Sequence, residues 1–279
     1  MEKSATVEIL ISGNEILTGD ILDTNTNWLC RLIHSRGGSV TRVTVIPDEL
    51  EVVARAVRDS VSRKVDLLIT SGGLGPTADD LTLEAVALGT NRRTILHEKA
   101  LEQVRKQYDY FFEQGVMTEG GLNPAREKMA HLPEGAEPLV NPVGTAPGVL
   151  LQLQHTAIVS LPGVPSELKG IIEEALQPFL DNLFGEGEAL SRRVGVLCSD
   201  ESLLEPLLKR IATSYPAIYT KSLATTLGEN PEMDIIMTVS GPGGKEQLLD
   251  KAYQELCTGL VTLGFSINRK CSPAGDDCI

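Results

Sequence analysis

The segment Thr70-Ser71-Gly72-Gly73-Leu74-Gly75-Pro76-Thr77-Ala78-Asp79-Asp80-Leu81-Thr82 sets a run of glycines beside two adjacent carboxylates. Glycines that follow an apolar run let the backbone turn tightly and approach a ligand closely. A helix beginning just beyond them offers unpaired N–H groups and positive potential, which suits a phosphate. On that reading Ser71, Gly72, Gly73, Leu74, Gly75 and Thr77 are candidate ligand contacts, and a valine at Gly73 should block binding without disturbing the core. The plainer reading is a turn in which Thr77 and Asp80 form a helix capping box. Asp79 and Asp80 favour the first, because only one of them can cap. The other faces the anion site, which requires a Mg2+-type ion between them. The spacing fits neither G-x-G-x-x-G nor G-x-x-x-x-G-K-[ST], so a dinucleotide fingerprint and a Walker loop are both unsupported.

Two further acidic clusters stand at similar places. Ser12-Gly13-Asn14-Glu15-Ile16-Leu17-Thr18-Gly19-Asp20 follows one apolar run, and Pro47-Asp48-Glu49 follows another. Gly13, Asn14 and Glu15 become candidate ligand contacts if the ends of these runs meet. Any single acid here is more often a solvated loop residue. Glu15, Asp20, Asp48, Asp79 and Asp80 on one rim would repel one another, which normally implies a cation. His34, His97, His131 and His155 have no neighbours that suggest a triad, so no role is assigned to them.

The elements that must position these residues are legible from periodicity. Residues 5–12, 39–46, 65–70 and 156–161 are β-branched runs that read as strands, all but 39–46 as buried ones. Helices are expected from about Asp23 to Gly37, over 50–63, from the glycine loop to Gly89, over 97–114 and over 166–183. AEPLVN and GVLLQL read as a hairpin. Alternating strands and helices imply an α/β, doubly wound, mostly parallel sheet, with its ligand at the carboxyl ends of the strands. This domain is expected over 1–184, with a linker around 184–188. A small α+β domain of β-α-β-β-α order follows over 190–268, then a tail at 269–279. Gly241-Pro242-Gly243-Gly244 has the spacing of the G-x-x-G loop of RNA-binding KH modules, but it joins a strand to a helix rather than two helices.

Composition narrows the partners. The 279-residue chain carries a net charge of −13, which disfavours nucleic acid while leaving a polyanionic small ligand open to backbone donors or a metal. No apolar run approaches the roughly 20 residues of a membrane span, and the N-terminus lacks signal-peptide features, so a cytoplasmic protein with no membrane partner is expected. Cys30, Cys198, Cys257, Cys271 and Cys278 follow neither a disulfide framework nor a strong metal spacing.

Taken together, SGGLGPTADDLTLEAVA (71–87) resembles the signature of CinA-type N-terminal domains and is similar to the glycine loop of molybdopterin-cofactor biosynthesis proteins. The likeness continues through GNEILTGDILDTNTNWL (13–29), VIPDE (45–49), NPVGTAPGV (141–149) and LPGVPSELK (161–169), covering nearly all of residues 5–180. It implies a molybdopterin-binding-type domain in which Asp48 and Asp80 are catalytic or metal-positioning. The loop 72–75 and the segment Asn141, Gly144, Thr145, Ala146, Pro147 and Gly148 would contact nucleotide or pterin phosphates. The family's N-x-K-Q-A pattern appears as Arg126-Glu127-Lys128-Met129-Ala130, which keeps Lys128 to neutralise a phosphate oxygen but replaces Asn and Gln. The implied activity is metal-dependent hydrolysis of a nucleotide diphosphate, with ADP-ribose leading. Asp48, Asp79 and Asp80 would hold Mg2+, Mn2+ or Co2+, and a monovalent cation is a secondary candidate. The alternatives are a molybdopterin-binding or adenylylating protein and a non-catalytic nucleotide-binding module. The likeness further implies a homo-oligomer, dimer or trimer, and the second domain resembles a KH-like appendage. No segment matches CinA's deamidase domain, so that activity is not carried over.

Overall fold

The computed structural model describes residues 4–185, 189–226, 231–239 and 245–270. Chain contacts divide it into two compact units, one of residues 1–34 and 38–184, the other of residues 35–37 and 185–279.

The first unit is built on a six-stranded sheet. Its strands are β1 (Thr6–Ser12), β2 (Ser39–Ile46), β3 (Leu67–Ser71), β6 (Ala136–Leu139), β7 (Gly148–Gln152) and β8 (Ala157–Leu161). They lie in the order β2-β1-β3-β8-β7-β6. β2, β1, β3 and β8 run parallel, whereas β7 runs antiparallel to both β8 and β6. AEPL and GVLLQ thus form the expected antiparallel pair at one edge. A short ribbon joins β4 (Thr94–Leu96) to β5 (His131–Pro133).

Each central strand feeds two cores, as the two-residue period of a strand requires. On β1, Leu10 packs with Val53 and Val57 of α3 (Leu50–Ser62), Val86 of α4 (Thr82–Gly89) and Val104 of α5 (Glu98–Glu113). Val7, Ile9 and Ile11 pack on the other face with Leu29 and Ile33 of α2 (Thr24–Ser35) and Leu168 and Ile171 of α7 (Pro165–Ile171). Helices on both faces of a mostly parallel sheet make the doubly wound α/β architecture. The helix expected over 166–183 is α7, a π-helical turn (Ile172–Leu176) and α8 (Gln177–Phe184) in succession. Ile172, Leu176 and Leu180 lie on the core face of this stretch. Two short helices, α1 (Asn14–Thr18) and α6 (Pro124–Lys128), lie in stretches where no helix is expected.

Glu8 is a buried charge on β1, 3 % exposed. Its carboxylate accepts hydrogen bonds from Arg63 Nε and Nη2, both at 2.7 Å, and from Ser60 Oγ at 2.6 Å. Burial pushes its pKa up, but the Arg63 and Ser60 hydrogen bonds and the charges of Arg63 and Arg42 outweigh this and hold it below the ordinary value.

The second unit has the order β9 (Leu190–Leu197), α9 (Glu205–Ser214), β10 (Tyr219–Thr226), β11 (Glu232–Val239), α10 (Lys245–Thr262) and β12 (Ile267–Lys270). Its antiparallel sheet has the strand order β10-β11-β9-β12. Val194, Val196, Ile235 and Met237 pack on Leu207 and Ile211 of α9 and Leu249, Leu256 and Leu260 of α10. β12 extends the β-α-β-β-α reading by one strand. Residues 186–188 of the expected linker, the Gly241–Gly244 segment and the segment with Cys271 and Cys278 lie outside the described residues.

Candidate functional site

The strand order places a topological switch at β1, since the chain moves to β2 on one side and to β3 on the other. Ligand crevices form at such switches, outside the carboxyl ends of the strands. Here β1 ends at Ser12, β2 at Ile46, β3 at Ser71 and β8 at Leu161. The loops that leave them surround a cleft of about 570 Å³.

The glycine loop is fixed by its neighbours. The Gly72 N–H donates to Leu161 O (3.0 Å), Thr82 Oγ1 donates to Gly72 O (2.8 Å), and the Thr82 N–H donates to Gly73 O (3.1 Å). Gly72 and Gly73 have φ of +104° and +67°, a region that favours glycine. A Cβ on Gly72 would meet the Ser12 carbonyl, and one on Gly73 would meet the Thr82 hydroxyl. Valine at Gly73 therefore cannot leave the local fold intact, which corrects the expectation of a clean binding mutant.

The paired acids serve a turn rather than a helix cap. Asp80 Oδ2 accepts from the Thr77 N–H (2.9 Å) and lies 2.7 Å from Thr77 Oγ1, while Asp79 Oδ1 also contacts that hydroxyl. Helix α4 starts only at Thr82 and has no side-chain cap, so the capping-box reading fails by register. The Thr77 hydrogen bond, foremost, then its own backbone and the Lys128 charge, hold Asp79 below its ordinary pKa. Lys128 Nζ donates to Thr77 O, anchoring the same turn from α6. Lys128 lines a smaller cavity of about 260 Å³ with Gly73, Gly75 and Asp80 rather than the main cleft.

Of the residues singled out in the sequence, Gly13, Glu15, Asp48, Ser71, Gly72, Gly73, Leu74, Gly75, Asp79, Asp80 and Thr145 line the cleft. Asn14 supports it, its N–H donating to Asp48 Oδ2 at 2.9 Å. Asn141 does something else. Its Nδ2 donates to Ala146 O and Glu167 Oε2, and its Oδ1 accepts from the N–H groups of Val143 and Gly144. Buried to 3 % exposure, it organises the 141–146 loop. Gly144 packs against the Glu167 carboxyl, Pro147 lines a separate cavity of about 630 Å³ with Thr145, and Gly148 is buried at the start of β7.

The carboxylates do not assemble a cage. Among the described residues, no group of three His, Cys, Asp or Glu side chains could hold a metal ion. The expected trio of Asp48, Asp79 and Asp80 shares a cleft without converging, because the last two are turned toward Thr77.

Three residues that sequence reasoning passed over matter locally. Thr82 ties the glycine loop, and its Oγ1 lies 3.2 Å from Ser12 Oγ. Asn25 Nδ2 donates to Ser71 Oγ (3.1 Å) and Gly163 O (2.8 Å), joining α2 to two rim loops. Glu167 lines the cleft half-buried, and desolvation raises its pKa against the lowering effect of Asn141. Their signals were present only as members of the TNTNW, DDLT and LPGVPSE stretches.

Residues 8–182 match a family described as a probable molybdopterin binding domain. A protein of Aeropyrum pernix is 40 % identical over 222 residues, covering 80 % of each chain. One from Caldivirga maquilingensis is 36 % identical over 266 residues, covering 94 % of this chain and 98 % of its own. A crystal structure of CinA from Thermoplasma acidophilum, of unknown function, superposes with a TM-score of 0.57 at 33 % identity, covering 63 % of this chain and 98 % of that one. Among the described residues no helix is long and apolar enough to cross a membrane. Fold, rim and relatives agree: the chain belongs to the molybdopterin-binding domain family, and its N-terminal domain is CinA-like.

Proposed function

We propose that the N-terminal unit binds a nucleotide diphosphate in this cleft and hydrolyses its phosphoanhydride with a divalent cation, ADP-ribose being the leading substrate. The observation that carries the reading is the meeting, in one cleft, of a backbone loop locked in left-handed conformation and the acids Asp48, Asp79 and Asp80. The lack of a three-acid cage suits a Mg2+-type ion, which keeps several waters and takes one or two carboxylates plus substrate phosphates. Such an ion, when bound, neutralises charge on the diphosphate and acidifies the attacking water.

The protein's own groups do the positioning. The Gly72 N–H is taken by Leu161, so phosphate oxygens fall to the amides of Gly73, Leu74 and Gly75. Asp48, steadied by the Asn14 N–H, and Asp80, steadied by Thr77, present carboxylates to the ion. Lys128 adds positive potential behind the loop while fixing its turn.

A second reading, binding or adenylylation of molybdopterin, is favoured by the family match itself, since molybdopterin is also a phosphorylated heterocycle. One screen separates them: ADP-ribose, NAD, FAD and molybdopterin-AMP, each with Mg2+, Mn2+ or Co2+, following AMP release. Metal-dependent release from ADP-ribose supports hydrolysis. Release from molybdopterin-AMP alone supports the second reading, and binding without release leaves a binding module.

A further inference from the structure

Glu167 is a carboxylate placed where a phosphate site would exclude one. It stands in the first turn of α7, behind Pro165 and a Val164 that offers no side-chain cap. Its Oε2 accepts from Asn141 Nδ2 at 2.7 Å. Gly144 lies so close that any Cβ there would strike the carboxyl group, which leaves the side chain little freedom. The same residue lines the cleft with the glycine loop and the acids of the rim. Asn141, also engaged with its own loop, holds one oxygen; the other has no hydrogen-bond partner among the described residues.

A carboxylate only accepts, and it repels phosphate. A fixed acceptor in a cleft whose other wall suits phosphate must therefore meet the part of the ligand that donates. In a nucleotide the donors next to the phosphates are the ribose hydroxyls. Resting on the nucleotide reading above, we propose that Glu167 determines specificity by accepting hydrogen bonds from the ribose 2′- and 3′-hydroxyls through Oε1, while Asn141 holds Oε2. The desolvation that raises its pKa also strengthens each bond it accepts and makes an absent hydroxyl more damaging. A site built to bond a hydroxyl rejects the analogue lacking it far more strongly than an apolar pocket rejects an added group.

The test is calorimetric titration of the full chain, with Mg2+, using AMP, 2′,3′-dideoxy-AMP and inorganic pyrophosphate. Wild type should prefer AMP over the dideoxy compound by about tenfold or more. Glu167→Gln can still accept from Asn141 but turns a donor toward the ligand, so the preference should shrink to within about threefold. Pyrophosphate should bind the variant no more weakly than wild type. Equal wild-type affinity for the two nucleotides, or a preference that survives Glu167→Gln, overturns the proposal while the nucleotide reading stands. Failure of both nucleotides to bind overturns the nucleotide reading and this inference together. The wild-type comparison decides even if Glu167→Gln does not fold.

Discussion

Thr82→Val isolates the clamp on the glycine loop. Thr82 is 2 % exposed, and its hydroxyl donates to Gly72 O at 2.8 Å beside Ser12 Oγ at 3.2 Å. Valine matches threonine in shape, so packing against Gly73 is retained while the hydrogen bonds to Gly72 O and with Ser12 Oγ disappear. The buried Gly72 carbonyl then lacks that donor, an omission that costs about 1–3 kcal/mol. For a unit of this length each kcal/mol moves the midpoint by roughly 2–4 °C, so a fall of about 2–12 °C is expected. Thr82→Ser keeps the hydroxyl and should recover most of it. Because the loop must be held before a ligand arrives, AMP affinity should fall about fivefold or more in Thr82→Val and much less in Thr82→Ser. Thermal scanning and calorimetry on the three proteins read both effects. A Thr82→Val midpoint within about 1 °C of wild type, with unchanged AMP affinity, would refute the clamp.

Asp80→Asn retains an acceptor for Thr77, so stability should change by less than about 1 kcal/mol while metal-dependent turnover falls roughly a hundredfold. Asp48→Asn should behave alike, and the double variant should lose much less than the product, as kinetics with midpoints would show. Arg63→Met strands a buried carboxylate; with Arg63 36 % exposed, a loss of about 2–3 kcal/mol is expected, below the fully buried range. The Glu8 pair stabilises wild type above the unfolded carboxylate pKa and stops doing so as pH falls through the lowered folded value. In Arg63→Met burial dominates instead, so raising the pH from 4 to 7 should destabilise that variant relative to wild type in urea titrations. The second unit should show no micromolar binding of single-stranded RNA at physiological salt, measured by fluorescence anisotropy, given the chain's charge of −13.

The rim was readable because glycines and acids at strand ends are local signals. The apolar runs at β1, β3 and β8 have the length and β-branched content of buried strands, β2 shows the same β-branched content on an exposed sheet edge, and the glycine loop follows β3 directly. What escaped depends on partners distant in sequence. β4 is three residues long and exists by pairing with β5 some 35 residues later. Asn141 read as a ligand contact because its motif carries no sign that its amide is shared between the adjacent loop and Glu167. Asp80 left a helix cap open as the plainer alternative because the capping-box spacing ignores where the helix begins. Glu167 is one of 38 acids, and only its distance to Asn141 and its place in the cleft single it out.

The pairing of β12 with β9 has a topological consequence. Lys270 sits opposite Arg193 in an antiparallel register, so among the described residues the first and last strands of the second unit's sheet are neighbours. Backbones at such positions are only about 5 Å apart. The start of β9 and the end of β12 thus share one doorway. A short bridge from Lys270 to Leu190 would close these strands into a ring, and new termini could be opened at the exposed Pro216 and Ala217 between α9 and β10. Grafted into a surface loop of an unrelated host, residues 190–270 would need to span almost no gap.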